Sequence, residues 1–426
     1  MRLIYTFAWW CALPAVLLRL FLRGRREPGY RRHIGERLGF YRTKIDSSSP
    51  VLWVHAVSVG ETRAAQPLVD ALLHAYPAHT ILLTHMTPTG RATGRSLFGT
   101  NPRVLQSYLP YDTGWMVGRF LRYFKPRLCV LMETEVWPNV MAQCARHRVP
   151  VALVNARLSA RSLAKAQRLP GLFTQAAAAM SCVAAQTEDD AQRIRMLGAP
   201  HVAVTGSVKF DILPPPSQLQ TGAALREQMG GRPVLLCANT RDGEEALILD
   251  AFCALPQRDF LLLIVPRHPQ RFDEVAMLIE ARGLHQARRS ALGETMPSDD
   301  VGVVLGDSMG EMFAYYAACD VAFVGGNLLP LGGHNLIEAC AVGKPVLVGP
   351  HTFNFADAAD KAIEAGAALR VADASELMQQ ACLLLQDDAR RQTMGDNALR
   401  FAGAHRGATL RTMALLQPLI QSPDTN

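Results

Sequence analysis

The sequence lacks most of the features that betray a function quickly. No two of its nine cysteines stand in a CxxC pair, so neither a zinc ribbon nor a dithiol redox site is written in it. It has no HExxH run and no DxD triplet to hold a divalent cation between phosphates. His334 and Glu338 stand four apart, but one such pair makes no metal site. Charged residues are scarce, at 19% against 49% hydrophobic. That balance supports a large buried core and excludes disorder as the bulk state. The cysteines fall mostly inside apolar runs and read as small core residues of a reduced compartment.

Basic charge is missing from most of the chain. The formal net charge is +7 and the pI is near 9.0, values that ordinarily raise a polyanion partner. Residues 1–46, however, hold ten basic and three acidic residues, and residues 47–426 are balanced. With neither a basic excess nor a recognition motif in the body, no nucleic-acid partner is expected.

The N-terminus is where the apolar and basic residues gather. From Leu3 to Leu18 there is no charge, and Trp9 and Trp10 lie inside the run. At about 1.5 Å per residue this stretch falls short of a hydrocarbon core about 30 Å thick. Continuing to Leu22, with Arg19 snorkelling, brings it to a marginal span. No small-residue cleavage site follows, which argues against a removed signal peptide. The basic cluster comes after the run, which by the positive-inside rule leaves the rest of the chain in the cytoplasm. Residues 1–22 are therefore expected to form a membrane-anchor helix, and 23–46 a polybasic segment against anionic lipid, about 1 kcal/mol per basic residue. An interfacial helix, which Pro14 favours, and a helix packed on the core are the alternatives.

From residue 51 onward, short apolar runs alternate with amphipathic stretches. Strand-like runs fall at 51–54, 81–84, 128–132, 151–154, 182–185 and 202–205. The segment 212–220, ILPPPSQLQ, reads as a linker. A second series follows at 234–237, 260–265, 301–305, 321–324 and 346–348. Strands alternating with helices imply parallel sheets covered on both faces. The expected fold class is α/β: two Rossmann-like domains, 47–211 and 221–426, facing each other across a cleft.

Ligands in such sheets bind beyond the carboxyl ends of strands, at the loops that open helices. HAVSVGET begins directly after the first strand and carries Ser58, Gly60 and Glu61 into a helix that could hold an anion. A glutamate in a first helical turn is also favourable for dipole reasons alone. METEVWPN puts two carboxylates, Glu133 and Glu135, at a strand end, where acids are hard to explain as core. TGSVKFD places Lys209 just before the linker, either as a neutralising charge or as an ordinary surface residue.

In the second half, VPRHPQRF sets Arg267 and His268 after a strand, where a guanidinium can grip phosphate. GDSMGEM leads from strand to helix, so amides near Met309, Gly310 and Glu311 could receive phosphate. The run GGNLLPLGGHNLIEA has Gly325, Gly326, Gly332 and Gly333 before a helix expected to open at Asn335, with Glu338 one turn in. Glycines permit close backbone approach to a ligand, and a helix start favours its phosphate.

Taken together, HAVSVGET, METEVWPN, NARLSARS, TGSVKFD, PRHPQRF and GGHNLIEA…GPHTFNF resemble the 3-deoxy-D-manno-octulosonic acid (Kdo) transferases of lipopolysaccharide synthesis, as does the early YRRHIGERLGFYR. The resemblance implies a GT-B glycosyltransferase that transfers Kdo from CMP-Kdo to a lipid A precursor (lipid IVA) with inversion. It implies no metal or other cofactor, and a place on the inner face of the inner membrane. Glu61 resembles the catalytic base, and Glu133 and Lys209 the residues that stabilise the transition state. Arg267, His268, Met309, Gly310, Glu311, Asn335, Leu336, Ile337 and Glu338 resemble the CMP-binding positions. The rival readings are another membrane-associated GT-B transferase that uses a UDP-sugar and a lipid acceptor, and a non-catalytic nucleotide-sugar binding protein.

Overall fold

Among the described residues, fourteen strands build two seven-stranded, all-parallel sheets. The computed structural model describes residues 1–25, 27–42, 49–292 and 300–421. Arg26, Lys44 and Asp46 of the N-terminal charge count, and the boundary at 46/47, lie outside the described residues. The chain divides into two compact units, one comprising Met1–Asp211 with Arg406–Asn426, the other Ile212–His405.

In the first unit the strands are β1 (Val51–His55), β2 (Thr80–His85), β3 (Val104–Tyr108), β4 (Pro126–Met132), β5 (Val151–Ala156), β6 (Cys182–Ala185) and β7 (Val202–Val204). Their spatial order is β3-β2-β1-β4-β5-β6-β7, so the winding reverses between β1 and β4. The central strands are buried along their whole length, as VLWVH in β1 illustrates. This is why they read as continuous apolar runs. Helix starts are fixed locally by Ser58, Thr87, Thr113, Ser159 and Thr187, each accepting a backbone N–H from its first turn.

The second unit has β8 (Val234–Thr240), β9 (Leu261–Pro266), β10 (His285–Arg288), β11 (Val301–Leu305), β12 (Val321–Val324), β13 (Val346–Val348) and β14 (Ala368–Arg370). The order β10-β11-β9-β8-β12-β13-β14 reverses between β8 and β12. In a doubly wound sheet such a reversal parts the flanking loops and makes the crevice where ligands bind.

Two boundaries differ from the sequence expectation. The linker is shorter, because a helix begins at Pro216 and its first turn takes up the rest of ILPPPSQLQ. The last helix, Ala408–Gln421, belongs to the first unit and not to the second. Asp211 holds its start by accepting the Gly407 and Thr409 N–H groups at 2.6 and 2.5 Å. Leu416 and Ile420 then enter the core formed with β1, β2 and β4.

The N-terminal helix, Arg2–Arg23, is long and apolar enough to cross a membrane, with a mean hydropathy of 1.6. One flank docks on the first unit. Thr6 bonds Asn139, Trp9 stacks on Tyr111, and Leu20 is buried with Tyr111 and Met116. The other flank leaves Leu3, Ile4, Phe7, Leu18 and Phe21 exposed. Of the basic residues that follow, Arg37 departs from expectation. It is 1% exposed and lies over the Tyr108 ring at 3.8 Å, so it braces the domain instead of facing headgroups.

Candidate active site

In the first unit the candidate residues gather at the reversal point. His55 ends β1 as a core residue, its imidazole bonded to the Thr84 hydroxyl at 2.8 Å. Burial, reinforced by neighbouring His85, pushes its pKa down to about 3, so it is neutral and structural. His85 in turn meets the Ala56 carbonyl at 3.0 Å and Thr62 at 3.3 Å, fixing the loop that follows β1. The helix Pro88–Phe98 presses on that loop through Gly90, where a Cβ would sit 3.1 Å from the Val57 carbonyl oxygen.

On this frame Ser58 caps the helix Val59–Ala64 and Glu61 folds back over it. The Val57 N–H donates to Glu61 Oε2 at 2.9 Å and the Ser58 hydroxyl to Oε1 at 3.0 Å. The spacing is that of a capping box, which by itself is a structural device. What sets Glu61 apart is its electrostatic setting. Burial raises its pKa, the Glu133 charge raises it further, and Lys209 and the two hydrogen bonds oppose them.

Glu133 sits at the end of β4 with a left-handed φ of 56°, a conformation costing a non-glycine residue about 1–3 kcal/mol. Its N–H bonds the Val154 carbonyl at 2.9 Å, and the buried carboxylate meets Lys209 Nζ at 2.8 Å and Arg157 Nε at 3.5 Å. Lys209 rides on a short 3₁₀ turn, Val208–Asp211, held by the fully buried Asn155, whose Oδ1 accepts the Val208 N–H at 3.2 Å. Glu135 completes the cluster, its Oε2 receiving the Trp137 indole N–H at 2.8 Å. Burial first, then the Glu61 charge, push its pKa up to about 7. Glu61, Glu133 and Lys209 are thus brought together. Arg157, which the sequence showed within NARLSARS without marking it out, joins them.

The second unit's reversal point is cationic. Arg267 and His268 follow β9, and the Arg267 N–H is tied to the Thr240 carbonyl of β8 at 2.9 Å. Arg241, Arg267 and Arg271 lie near enough to His268 to reinforce the lowering of its pKa by burial. His334 is pushed down to about 3 by burial and then by Arg267, Arg241 and His268. Arg271 is already committed to Asp242, Glu245 and Glu274 at 2.9–3.2 Å. Arg241 and Arg267, with His268 and His334 beside them, form a group whose field would favour a bound anion.

Glu244, a residue sequence reasoning missed, shapes the glycine loop of this site. Fully buried, its carboxylate accepts the N–H groups of Gly326, Asn327 and Leu328 at 2.6–2.9 Å and that of Arg241 at 2.9 Å. It thereby joins the ends of β8 and β12 across the reversal. Gly326 and Gly332 have φ of 79° and 97°, which L side chains avoid. An acid just beyond a strand end was the available signal.

Other expected donor residues are placed differently. The helix thought to open at Asn335 is Ile337–Ala341, and Leu336 and Ile337 are 1% and 2% exposed. Their side chains are core, so that stretch offers a ligand only its backbone and the half-buried Asn335 and Glu338. Asn335 instead accepts the Ile337 N–H at 3.1 Å. Met309 and Gly310 are exposed, beyond β11, next to β9 in the sheet. The Glu311 carboxylate is engaged by Ser308 and Arg289. In the helix that follows, Met312–Ala318, the Phe313 N–H is taken by the Gln218 side chain at 3.1 Å. Among the described residues, no three His, Cys, Asp or Glu side chains are grouped to hold a metal ion.

Residues 32–212 match the family model described as 3-Deoxy-D-manno-octulosonic-acid transferase (kdotransferase), and residues 247–401 match Glycosyl transferases group 1. A 3-deoxy-D-manno-octulosonic acid transferase of Bordetella pertussis is 47% identical over 98% of this chain and 99% of its own. The chain belongs to the Kdo transferase family. A second Kdo transferase, from Haemophilus influenzae, is 35% identical over 99% of each chain. In structure, a glycosyltransferase from Rickettsia africae matches with a TM-score of 0.59 at 13% identity, over 89% of this chain and all of that one. That likeness concerns the fold, which is of the GT-B type with two Rossmann-like units. As a Kdo transferase the chain is a glycosyltransferase, and the two reversal points are where its chemistry is sought.

Proposed function

We propose that this Kdo transferase moves Kdo from CMP-Kdo onto a hydroxyl of a lipid A precursor (lipid IVA), inverting the anomeric centre, with Glu61 as the general base. The observation that carries this reading is the meeting of Glu61 with the Glu133–Lys209 pair at the β1/β4 reversal. A raised pKa makes Glu61 a stronger base than a solvated carboxylate, and such a base contributes about 10²–10⁴-fold. As the acceptor oxygen bonds to the anomeric carbon, its proton passes to Glu61 and the bond to the CMP phosphate breaks. The bonding electrons leave with CMP.

Charge gained by the departing phosphate is met by Arg267 and its cationic neighbours, so no divalent cation is required in this scheme. Lys209, 2.8 Å from Glu133, supplies a fixed positive charge suited to the carboxylated sugar. The apolar flank of the N-terminal helix is covered by lipid, with the two units on the cytoplasmic face. The identity of donor and acceptor is tested by incubating the protein with CMP-Kdo and tetraacyl lipid A precursor and weighing the lipid product. Mass increases of whole Kdo units are expected. An unchanged lipid, with UDP-sugars consumed instead, overturns the assignment. Glu61→Gln tests the base: turnover falls by about 10³-fold.

A further inference from the structure

The N-terminal helix is docked on the first unit from one end to the other, which limits how a bilayer can receive it. Its partly or fully buried residues recur at helical spacing, through Thr6, Trp9, Leu13, Val16, Leu17 and Leu20. At the start, Met1 Cγ lies 3.4 Å from where a Cβ on Gly171 would sit, and Arg2 shares a pocket with Met141, Ala145 and Leu172. The Thr6 hydroxyl donates to Asn139 Oδ1 at 3.2 Å and accepts from its Nδ2 at 3.0 Å. Asn139 is buried and fixed in turn, its backbone N–H held by Asp112 at 3.0 Å. Further along, Trp9 stacks on Tyr111 and Leu20 packs with Tyr111 and Met116.

A helix of 22 residues is about 33 Å long, close to the full hydrocarbon thickness. Stood upright, it would draw the docked surface of the first unit through the bilayer, with the exposed Arg146 that follows Ala145 at the Arg2 pocket. Charge and irregular backbone are costly there. Laid flat, the helix leaves that surface in water and turns the opposite stripe outward, where Leu3, Phe7, Trp10, Leu18 and Phe21 are exposed. Exposed Arg19, Arg23, Arg25, Arg31 and Arg32 gather towards and beyond its end, a charge that complements anionic headgroups. Next to Met116, exposed Trp115 and Phe40 lie 6.0 Å apart with Arg119 over both rings, aromatics of the kind that settle at headgroup level.

We propose that the helix Arg2–Arg23 is an in-plane anchor, lying along one leaflet of an anionic bilayer with its outer stripe at the acyl boundary and not spanning it. This deepens the reading that lipid covers the stripe, and rests on it. The docking has a consequence for the site. The helix packs near residues that follow strands of the first sheet: Met86 after β2, Tyr111 after β3 and Asn139 after β4. Glu61 and Glu133 follow β1 and β4 at the same sheet edge. A flat helix therefore brings the lipid surface along the edge that carries the proposed base, where a lipid-borne hydroxyl is presented.

The chain carries a reporter for this. Cys11 lies in the outer stripe, half-way along the helix, and is the one exposed cysteine among the described residues. The full-length protein, with the half-buried Cys253 and Cys382 changed to serine, is spin-labelled at Cys11. Two further variants carry Cys11→Ser with either Leu3→Cys or Leu22→Cys, both at exposed positions. Each is bound to vesicles of phosphatidylethanolamine and phosphatidylglycerol, and collisions with oxygen and with a water-soluble nickel chelate give the depth of the label. All three labels should lie at one shallow depth, about 5–10 Å below the headgroups. A Cys11 label about 15 Å deep, with the labels at positions 3 and 22 near opposite surfaces, means a spanning helix. That result overturns the inference and leaves the lipid cover standing. Labels as open to the chelate with vesicles as without them overturn both.

Discussion

The two reversal points share a topology and hold opposite charge. In the first unit three glutamates crowd the ends of β1 and β4 against one lysine and one arginine. In the second, Arg241, Arg267, His268 and His334 crowd the ends of β8, β9 and β12. Each point also contains a buried acid, put to different use. Glu244 spends its carboxylate on four backbone N–H groups and sets the shape of a loop. Glu133 directs its carboxylate at the Lys209 and Arg157 side chains. On the proposed reading, the first reversal point handles a proton and the second receives an anion. The fold supplies the location and the side chains divide the labour.

That division can be broken at either end. Glu244→Ala strands four backbone donors, so the second unit should lose about 3 kcal/mol of stability in urea unfolding, with CMP binding lost alongside. An unchanged midpoint would show that the loop holds its own shape. Arg267→Ala should weaken CMP binding about tenfold to thirtyfold in calorimetry while the folded state persists. Equal affinity would remove Arg267 from the site. A smaller effect is expected from the two histidines. Both are held below the ordinary imidazole pKa by burial and by arginines when no anion is bound, and a bound phosphate raises them. Protons are then taken up on binding, so CMP affinity should rise a few-fold from about pH 8 to about pH 6. Titrations in two buffers of different ionisation enthalpy measure the uptake. Proton release on binding would contradict it.

Eleven of the fourteen strands were legible as apolar runs, and the three that were not have a common cause. β3, β10 and β14 lie at sheet edges, where one side is wet, and their burial is patchy. An edge strand need not carry the continuous apolar run that betrays a central one, although the fourth edge strand, β7, does carry one. Glu61, Glu133 and Lys209 were legible because polar residues at strand ends stand out. Arg157, Glu244 and the anchoring of Asn155 were not, because their meaning lies in contacts far along the chain. Asn155 meets Val208, 53 residues away, and Glu244 meets Leu328, 84 away. The C-terminal helix was assigned to the wrong unit for the same reason, since Asp211 captures it across nearly 200 residues. Leu336 and Ile337 misled in the opposite way: a motif that marks a ligand loop also contains residues that pack the core.

The central claim is that proton chemistry resides at the first reversal point and anion binding at the second. Its most direct test is one variant, Glu61→Gln, measured twice on the same preparation. Calorimetric titration with CMP should give the wild-type dissociation constant within about twofold, while single-turnover transfer falls by about 10³-fold. Wild-type turnover, or a loss of CMP affinity that matches the loss of rate, would contradict the division.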